Sequence, residues 1–191
     1  YDTLNVSVIG RALKNGVFEV GVHNIRDYSS DKHKRCDDYP YGGGAGMVMK
    51  PEPIMNALRA QGWQPGKKVI VTTPGGKSFC QRDAQRLAAE EELFFVAGHY
   101  EGIDQRVVDI TEAEEFSVGD YVLTGGELPA MIMTDAIVRL IDGVLGDRAS
   151  LEQESFTEGL LEYPQYTRPR EYEGHAVPDV LFCGDHRVID A

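Results

Sequence analysis

Apolar and polar positions along this chain follow two patterns, one typical of strands and one typical of helices. Short runs rich in β-branched and aromatic residues at 68–72 and 93–97 predict buried strands. Residues 51–62, 81–91 and 128–141 instead repeat apolar positions every three or four residues, which indicates helices. Because strands and helices alternate, we expect an α/β domain with a mostly parallel sheet and helices on both faces.

The two ends of the chain extend this pattern less regularly. Residues 4–16 predict a short amphipathic helix that ends in an Asn-Gly pair, and residues 17–22 then predict a strand. Residues 177–182 predict a final edge strand. Between them, residues 26–46 show little periodicity, so this long polar loop is a first place to look for function.

Residues 116–128 are the segment on which the functional interpretation of the other bends depends. This segment is apolar, turns at Gly119, becomes apolar again and breaks at Gly125 and Gly126 before a helical pattern begins. Two interpretations stay open from these residues alone. They form either two short strands joined by a turn, or a loop whose glycines let backbone approach a ligand closely.

Three predicted strands end in glycine-bearing bends, at residues 73–75, 98–102 and 118–126. In parallel sheets ligands bind at the carboxyl ends of the strands, so the three bends could surround one small molecule. The dinucleotide fingerprint GxGxxG occurs nowhere. Gly76-Lys77-Ser78 ends like a P-loop, but Val71 stands where that motif needs its first glycine, so we do not expect a triphosphate site.

Composition and charge narrow the class of protein. With 191 residues, 42% hydrophobic and 26% charged, the chain suits one good-sized domain or a domain with an appendage. A net charge of −12 argues against a protein that holds nucleic acid by bulk electrostatics. The basic cluster at residues 32–35, with Arg168, Arg170 and Arg187, forms either a local nucleic-acid contact or a solvated surface.

The cysteines and the absence of long apolar runs bear on location. Three widely spaced cysteines without a CxxC pair indicate reduced thiols in a cytoplasmic protein rather than a zinc or disulfide framework. No apolar run reaches the length of a bilayer span, so we expect no membrane partner. An α/β domain usually opens with a strand and none precedes Tyr1, so we expect a missing first strand and a truncated C-terminal segment.

Five motifs resemble, in the same order, signatures of the bacterial tRNA (guanine-N1)-methyltransferases, the TrmD family of the SPOUT class. They are residues 37–47, 98–104, 117–123, 125–130 and 166–169. Five matches spread over most of the chain are hard to attribute to chance. The resemblance implies a deep trefoil knot in the sheet, which the usual connection rules make exceptional, and a mobile linker after the knotted domain.

The resemblance also implies a domain order. Residues 1–145 match the SPOUT methyltransferase domain without its first strand, and residues 146–178 match the interdomain linker or lid. Residues 179–191 match the start of a C-terminal segment that binds tRNA. Members of the family begin with a strand before the first helix and continue into a small helical domain that helps hold the tRNA.

The family moves a methyl group from S-adenosylmethionine to N1 of the guanosine just 3′ of the tRNA anticodon. Guanine N1 carries a proton at neutral pH, so the reaction needs a base, and a positive group should stabilise charge on O6. The family's base is an aspartate in the linker, and this chain has Glu154 there, a carboxylate on one more methylene. Without the family match, Glu154 is one more surface acid.

Arg139 matches the family's catalytic arginine, and the fork of its guanidinium suits O6 and N7 of guanine. Its alternative role is a helix-surface pair with Asp135, four residues earlier. Either Glu101 or Glu154 could bind Mg²⁺, on which the family's reaction is expected to depend, but no dedicated metal cage is visible.

The resemblance implies two further sets of residues. The set expected to bind S-adenosylmethionine lies in the three bends and the helix start that follows: Thr73, Pro74, Gly98, Tyr100, Glu101, Gly102, Val118, Gly119, Asp120, Tyr121, Val122, Leu123, Gly125, Gly126 and Pro129. The set expected to contact substrate RNA comprises Asp37, Asp38, Tyr41, Gly44 and Ser150. Tyrosines beside the glycine-rich loop could stack on a base.

SPOUT enzymes are homodimers with an active site across the subunit interface, so Glu154 of one chain would serve the cofactor held by the other.

Two alternatives to this function remain: a SPOUT enzyme acting on a ribose hydroxyl or ribosomal RNA, and a non-catalytic RNA-binding protein of the same fold. The Tyr41 loop and Glu154 argue against ribose methylation, which needs no base at N1. Calorimetry with S-adenosylmethionine would separate the non-enzyme from the enzymes.

Overall fold

The computed structural model describes residues 2–145 and 163–182. The chain divides into two units, Tyr1–Leu151 and Glu152–Ala191. The described part of the first unit is built on three parallel strands, β3 (Lys68–Ser78), β4 (Leu93–Ala97) and β5 (Glu114–Ser117), with β3 between the other two. A small antiparallel pair precedes them, β1 (Asp37–Asp38) with β2 (Val48–Met49).

In the same described part, five α-helices accompany these strands: α1 (Ser7–Lys14), α2 (Pro51–Ala60), α3 (Gln81–Leu87), α4 (Gln105–Thr111) and α5 (Glu127–Val138). Short 3₁₀ helices occupy Asp2–Asn5 and Ile25–Tyr28. Pro51 opens α2 because proline has no N–H to leave unpaired in the first turn. Helix α3 stops at Leu87, earlier than its pattern predicts, before three consecutive glutamates at 90–92.

The core lies on both faces of the parallel sheet. Side chains alternate along β3, so Val69 and Val71 join one apolar cluster and Ile70 joins the other. The first cluster includes residues of α2 and α4, and the second includes residues of α3 and α5. The prediction of a parallel α/β sheet covered by helices is therefore confirmed, while the knot stays a prediction.

Strand β3 does not end where the sequence predicts. It continues to Ser78, and Phe116 of β5 is paired with both Thr72 and Lys77, so residues 73–76 form a bulge. Gly76 is required there because a Cβ would lie 2.6 Å from the backbone nitrogen of Phe116. The first bend is thus a bulge within β3 rather than the end of a strand, since pairing with β5 resumes after it.

The predicted strand at residues 17–22 is wrong. These residues carry no strand, and they line a cavity of about 1390 Å³ that β4 also lines. A strand needs a neighbour that exchanges backbone hydrogen bonds with it. Among the described residues, β4 pairs only with β3, so residues 17–22 have no strand beside them.

The predicted edge strand at residues 177–182 is also wrong, because Asp179–Phe182 forms a 3₁₀ helix. The strands of this second unit lie just before it, in a hairpin of β6 (Glu171–Tyr172) and β7 (His175–Ala176). Glu173 and Gly174 at its tip have φ of 51° and 81°, as the favoured two-residue hairpin turn requires. No helix in the parts of the chain described here has the length and apolarity to cross a bilayer.

Candidate active site

The three bends meet at Gly126. The Thr72 hydroxyl, next to the β3 bulge, donates to the Gly126 carbonyl at 3.2 Å, and the Gly126 N–H donates to the Gly98 carbonyl at 2.8 Å. A Cβ on Gly126 would lie 2.2 Å from Thr72 Oγ1 and 2.7 Å from the Gly98 nitrogen. Glycine is therefore needed at 126 so that the bends can pack against one another, a role distinct from the ligand approach expected from sequence.

The bend at 118–126 contains no second strand. Strand β5 ends at Ser117, and the residues up to Gly126 form an irregular loop, which excludes the two-strand interpretation. Its apolar side chains face outward: Tyr121 is 55% exposed, Val122 81% and Leu123 37%. This uncovered apolar surface suits the adenosine half of a cofactor better than it suits a strand packed in a core.

The bend after β4 is tied to the glycine-rich loop that precedes β2. The Glu101 N–H donates to the Met47 carbonyl at 3.0 Å, and the Met49 N–H donates to the Gly102 carbonyl at 2.9 Å. Tyr100 adopts the left-handed conformation, with φ of 60°. These bonds hold the predicted cofactor bend directly against the predicted RNA loop.

Asp104 closes the same bend and caps α4. Its carboxylate accepts from the Arg106 N–H at 3.0 Å and from the Arg106 guanidinium at 2.8 and 2.7 Å. The hydrogen bonds from the Arg106 side chain hold the pKa of Asp104 below its usual value. The carboxylate therefore stays ionised and fixes the bend to the start of the helix.

Glu101 lies against Gly46, where a Cβ would come within 2.5 Å of Glu101 Cγ and 2.6 Å of Oε1. In residues 2–145 and 163–182, no group of three or more histidine, cysteine or acidic side chains could hold a metal ion. The magnesium role of Glu101 stays a prediction, and Glu154 lies outside the described residues.

The residues predicted to contact RNA lie on the loop beside this bend. Asp37 and Asp38 form β1 opposite Met49 and Val48. Tyr41 is fully exposed, and Gly44 has a φ of 129° that other residues rarely adopt. Ser150 lies outside the described residues, so the structure brings four of these five candidates together.

Arg139 lies away from the bends of its own chain. It directly follows α5 and is half-buried, whereas Gly126 and the buried Pro129 lie at the opposite end of that helix. Helix α5 has 12 residues, and a rise of 1.5 Å per residue puts its ends about 18 Å apart. Within one chain Arg139 therefore lies at the other end of α5 from Gly126.

The residues of the bends fit S-adenosylmethionine in two respects. A Cβ on Gly75 or Gly102 would meet no atom within 4 Å, so the backbone there faces open space. Exposed apolar side chains at Tyr100, Tyr121 and Val122 stand in the same two bends as Gly102 and Gly126. Exposed backbone beside apolar surface matches the mixed character of an adenosine.

Sequence reasoning missed a side-chain contact between two of the bends. His99 Nε2 and Glu127 Oε1 lie 2.5 Å apart although the residues are separated by 28 positions. No periodicity or local spacing signals such a pair. The sequence shows only that His99 directly follows Gly98 and that Glu127 directly follows Gly126, which are glycines of two different bends.

Comparison with known proteins shows the family of the chain. A sequence model of the family described as tRNA (guanine-1)-methyltransferase TrmD matches residues 2–191. The tRNA (guanine-N(1)-)-methyltransferase of Staphylococcus carnosus is 55% identical over 188 residues, which cover 98% of this chain and 77% of the relative. That of Clostridium acetobutylicum is 56% identical over 189 residues, covering 99% and 78%. With the motifs, the converging bends and these matches together, the chain belongs to the tRNA (guanine-1)-methyltransferase TrmD family.

Proposed function

We propose that this protein transfers a methyl group from S-adenosylmethionine to N1 of the guanosine immediately 3′ of the anticodon in tRNA. The observation that carries the proposal is the convergence of three bends at Gly126. The chain's relatives are named for methyl transfer to N1 of guanine in tRNA. Because tRNA is the substrate, the proposed site of action is the cytoplasm.

The bends supply the cofactor site in this proposal. Backbone groups near Gly75 and Gly102 would hold the adenosine, and Tyr121 and Val122 would pack on its apolar surface. S-adenosylmethionine, when bound, supplies an electrophilic methyl group on a sulfonium. The task left to the protein is to align guanine N1 with that methyl group, and alignment is worth several kcal/mol of barrier.

Two side chains carry the proton and charge changes on guanine. The Glu154 carboxylate accepts the N1 proton, and the Arg139 guanidinium donates to O6, where negative charge develops as N1 loses that proton. Tyr41 and the loop from Asp37 to Gly44 contact the anticodon region. Tyr41 suits this role because its ring is fully exposed beside the cofactor bend.

The protein acts as a homodimer, with Arg139 and Glu154 serving the cofactor held by the partner. The position of Arg139, about 18 Å along α5 from the bends, supports this arrangement. Leu128 and Ile132 of α5 are 54% and 50% exposed, and they lie four residues apart on one side of the helix. A second copy would cover this apolar stripe. The trefoil knot of the SPOUT class is part of the same proposal.

The experiment is transfer of labelled methyl groups to two tRNA transcripts that differ only at the base after the anticodon. The transcript with guanosine there accepts label at N1, and the transcript with adenosine does not. Nuclease digestion and mass spectrometry locate the methyl group. Label at another nucleotide or on a ribose would contradict the proposal.

A chain that binds S-adenosylmethionine by calorimetry but labels neither transcript would favour a non-catalytic RNA-binding protein. Activity measured with and without chelator, at fixed ionic strength, tests the contribution of Mg²⁺. Complete loss with chelator and recovery with added Mg²⁺ is the expected result.

A further inference from the structure

His99 and Glu127 join two of the three bends through their side chains. His99 follows Gly98 in the bend after β4, and Glu127 is the first residue of α5, after Gly126. The 2.5 Å contact joins His99 Nε2 to Glu127 Oε1. A carboxylate at neutral pH only accepts hydrogen bonds, so Nε2 carries the hydrogen and donates it.

The surroundings hold the pair in this arrangement. A Cβ on Gly125 would lie 2.8 Å from His99 Cε1 and 2.5 Å from Glu127 Oε2, so both side chains pack directly against Gly125. The His99 N–H also donates to Met49 Sδ at 3.3 Å. The backbone of His99 is therefore bonded to β2 while its ring contacts the start of α5.

The pair also lines the large cavity beside residues 17–26. Tyr100 of the predicted cofactor set lines the same cavity, whereas Thr73, Pro74 and residues 118–123 do not. A direct contact with the reacting atoms does not follow from this placement.

We propose that His99 and Glu127 are positioning residues that set the separation of the bends at Gly98 and Gly126 and thereby the affinity for the cofactor. This inference rests on the proposed function, because it assigns the bends to S-adenosylmethionine. Each bend is irregular backbone between a strand and a helix. Without the pair, a ligand that contacts both bends would have to order them when it binds. The entropy lost in that ordering would lower the affinity of the ligand.

Loss of the pair should change the affinity for the cofactor rather than the stability of the fold. Both side chains are nearly half-exposed, at 46% and 42%, and exposed pairs contribute little to global stability. Removal should therefore weaken cofactor binding while the melting temperature stays close to that of the wild type.

Calorimetry with S-adenosylmethionine on the full chain tests the pair through His99→Ala, Glu127→Ala and the double variant. We expect each single variant to bind roughly tenfold more weakly. The double variant should bind no more weakly than either single one, because the second substitution removes nothing further. In steady-state assays KM for the cofactor rises, and kcat at saturating cofactor stays within about twofold.

Two further variants separate positioning from other effects. Glu127→Gln keeps an oxygen that can accept from His99 Nε2 and should restore most of the affinity. Glu92→Ala is the control, because it removes an exposed 2.6 Å pair with Lys67 outside the bends. It should bind the cofactor like the wild type.

The outcomes distinguish this inference from the proposed function. If the wild-type chain fails to bind S-adenosylmethionine, the proposed function is overturned. If the wild type binds but the single variants bind equally well, or if their losses add in the double variant, the positioning role is overturned.

Discussion

At the scale of single residues, the buried carboxylate of Asp83 joins the end of β3 to the start of α3. It accepts from Lys77 Nζ at 2.6 Å and from the Cys80 N–H at 3.2 Å. Burial by itself would raise the pKa of Asp83, but the hydrogen bonds from Lys77 and Cys80 outweigh it, so the pKa is lowered. Ionised Asp83 therefore stabilises the folded state.

Asp83→Asn should lower the free energy of unfolding at neutral pH by about 1–3 kcal/mol. Because the folded pKa is the lower one, the stabilisation is present above the unfolded pKa of about 3.9 and is lost as pH falls through the folded value. The difference between wild type and variant should therefore shrink in acid. Urea denaturation across this pH range measures it.

The control for this prediction is Asp109→Asn, which changes an exposed carboxylate on α4. Its effect should stay small at every pH. A wild-type advantage over Asp83→Asn that stayed constant down to strongly acidic pH would show that the charge of Asp83 contributes nothing.

Arg139→Ala should abolish methyl transfer and leave the affinity for S-adenosylmethionine nearly unchanged, because Arg139 is assigned to guanine O6 rather than to the cofactor. Single-turnover transfer and calorimetry measure the two properties separately. Arg139→Lys keeps the charge but loses the fork, so it should recover only part of the rate. A large loss of cofactor affinity in Arg139→Ala would contradict this division of roles.

At the scale of elements, the exposed apolar side of α5 carries the argument for a dimer. A carboxylate there would have to be buried without a partner, which costs several kcal/mol. We therefore expect Ile132→Glu to be a folded monomer without methyl-transfer activity. Sedimentation velocity and circular dichroism measure assembly and folding.

The matched control is Ile110→Glu, because Ile110 of α4 is 53% exposed, close to the 50% of Ile132. This variant should remain dimeric. If Ile132→Glu also stayed dimeric at concentrations where the wild type is a dimer, the interface would have to lie elsewhere.

At the scale of the whole molecule, the distance between Arg139 and the bends predicts complementation between two inactive chains. Val122→Arg should block the cofactor site, and Arg139→Ala should remove the arginine that serves the partner's site. Val122 is 81% exposed, so its replacement by arginine should not disturb the core. In a mixed dimer, the chain that carries Arg139→Ala still binds the cofactor and receives the intact arginine from the other chain.

Co-refolding the two variants should restore about a quarter of the wild-type activity, since half of randomly formed dimers are mixed and each has one complete site. Each variant alone, carried through the same procedure, provides the baseline. No recovery from mixtures shown to contain mixed dimers would mean that Arg139 acts within its own chain.

Much of the fold could be predicted from the sequence because its signals are local. Strand β4 has the predicted bounds, and α2 begins at the predicted proline. In both, neighbouring residues select the conformation through propensity and side-chain periodicity. The strand at residues 17–22 was mispredicted because a strand depends on a partner that its own residues do not specify.

The candidate site also contains some features that the sequence could predict and others that it could not. The glycine bends could be recognised from sequence, and the motifs named the family. Neither the bulge at residues 73–76 nor the contact of His99 with Glu127 could be found, since both depend on residues distant in the chain. The bulge arises only because β5 pairs with β3 on both sides of it.

By itself the sequence determined the bounds of β4, the start of α2 and the positions of the glycine bends, because those features follow from short-range sterics and the burial of apolar side chains. Only the tertiary structure decided that the bends converge at Gly126 and that α5 carries Arg139 away from them. Such convergence is a matter of packing between distant segments, where a missing Cβ at one glycine allows two backbones to touch.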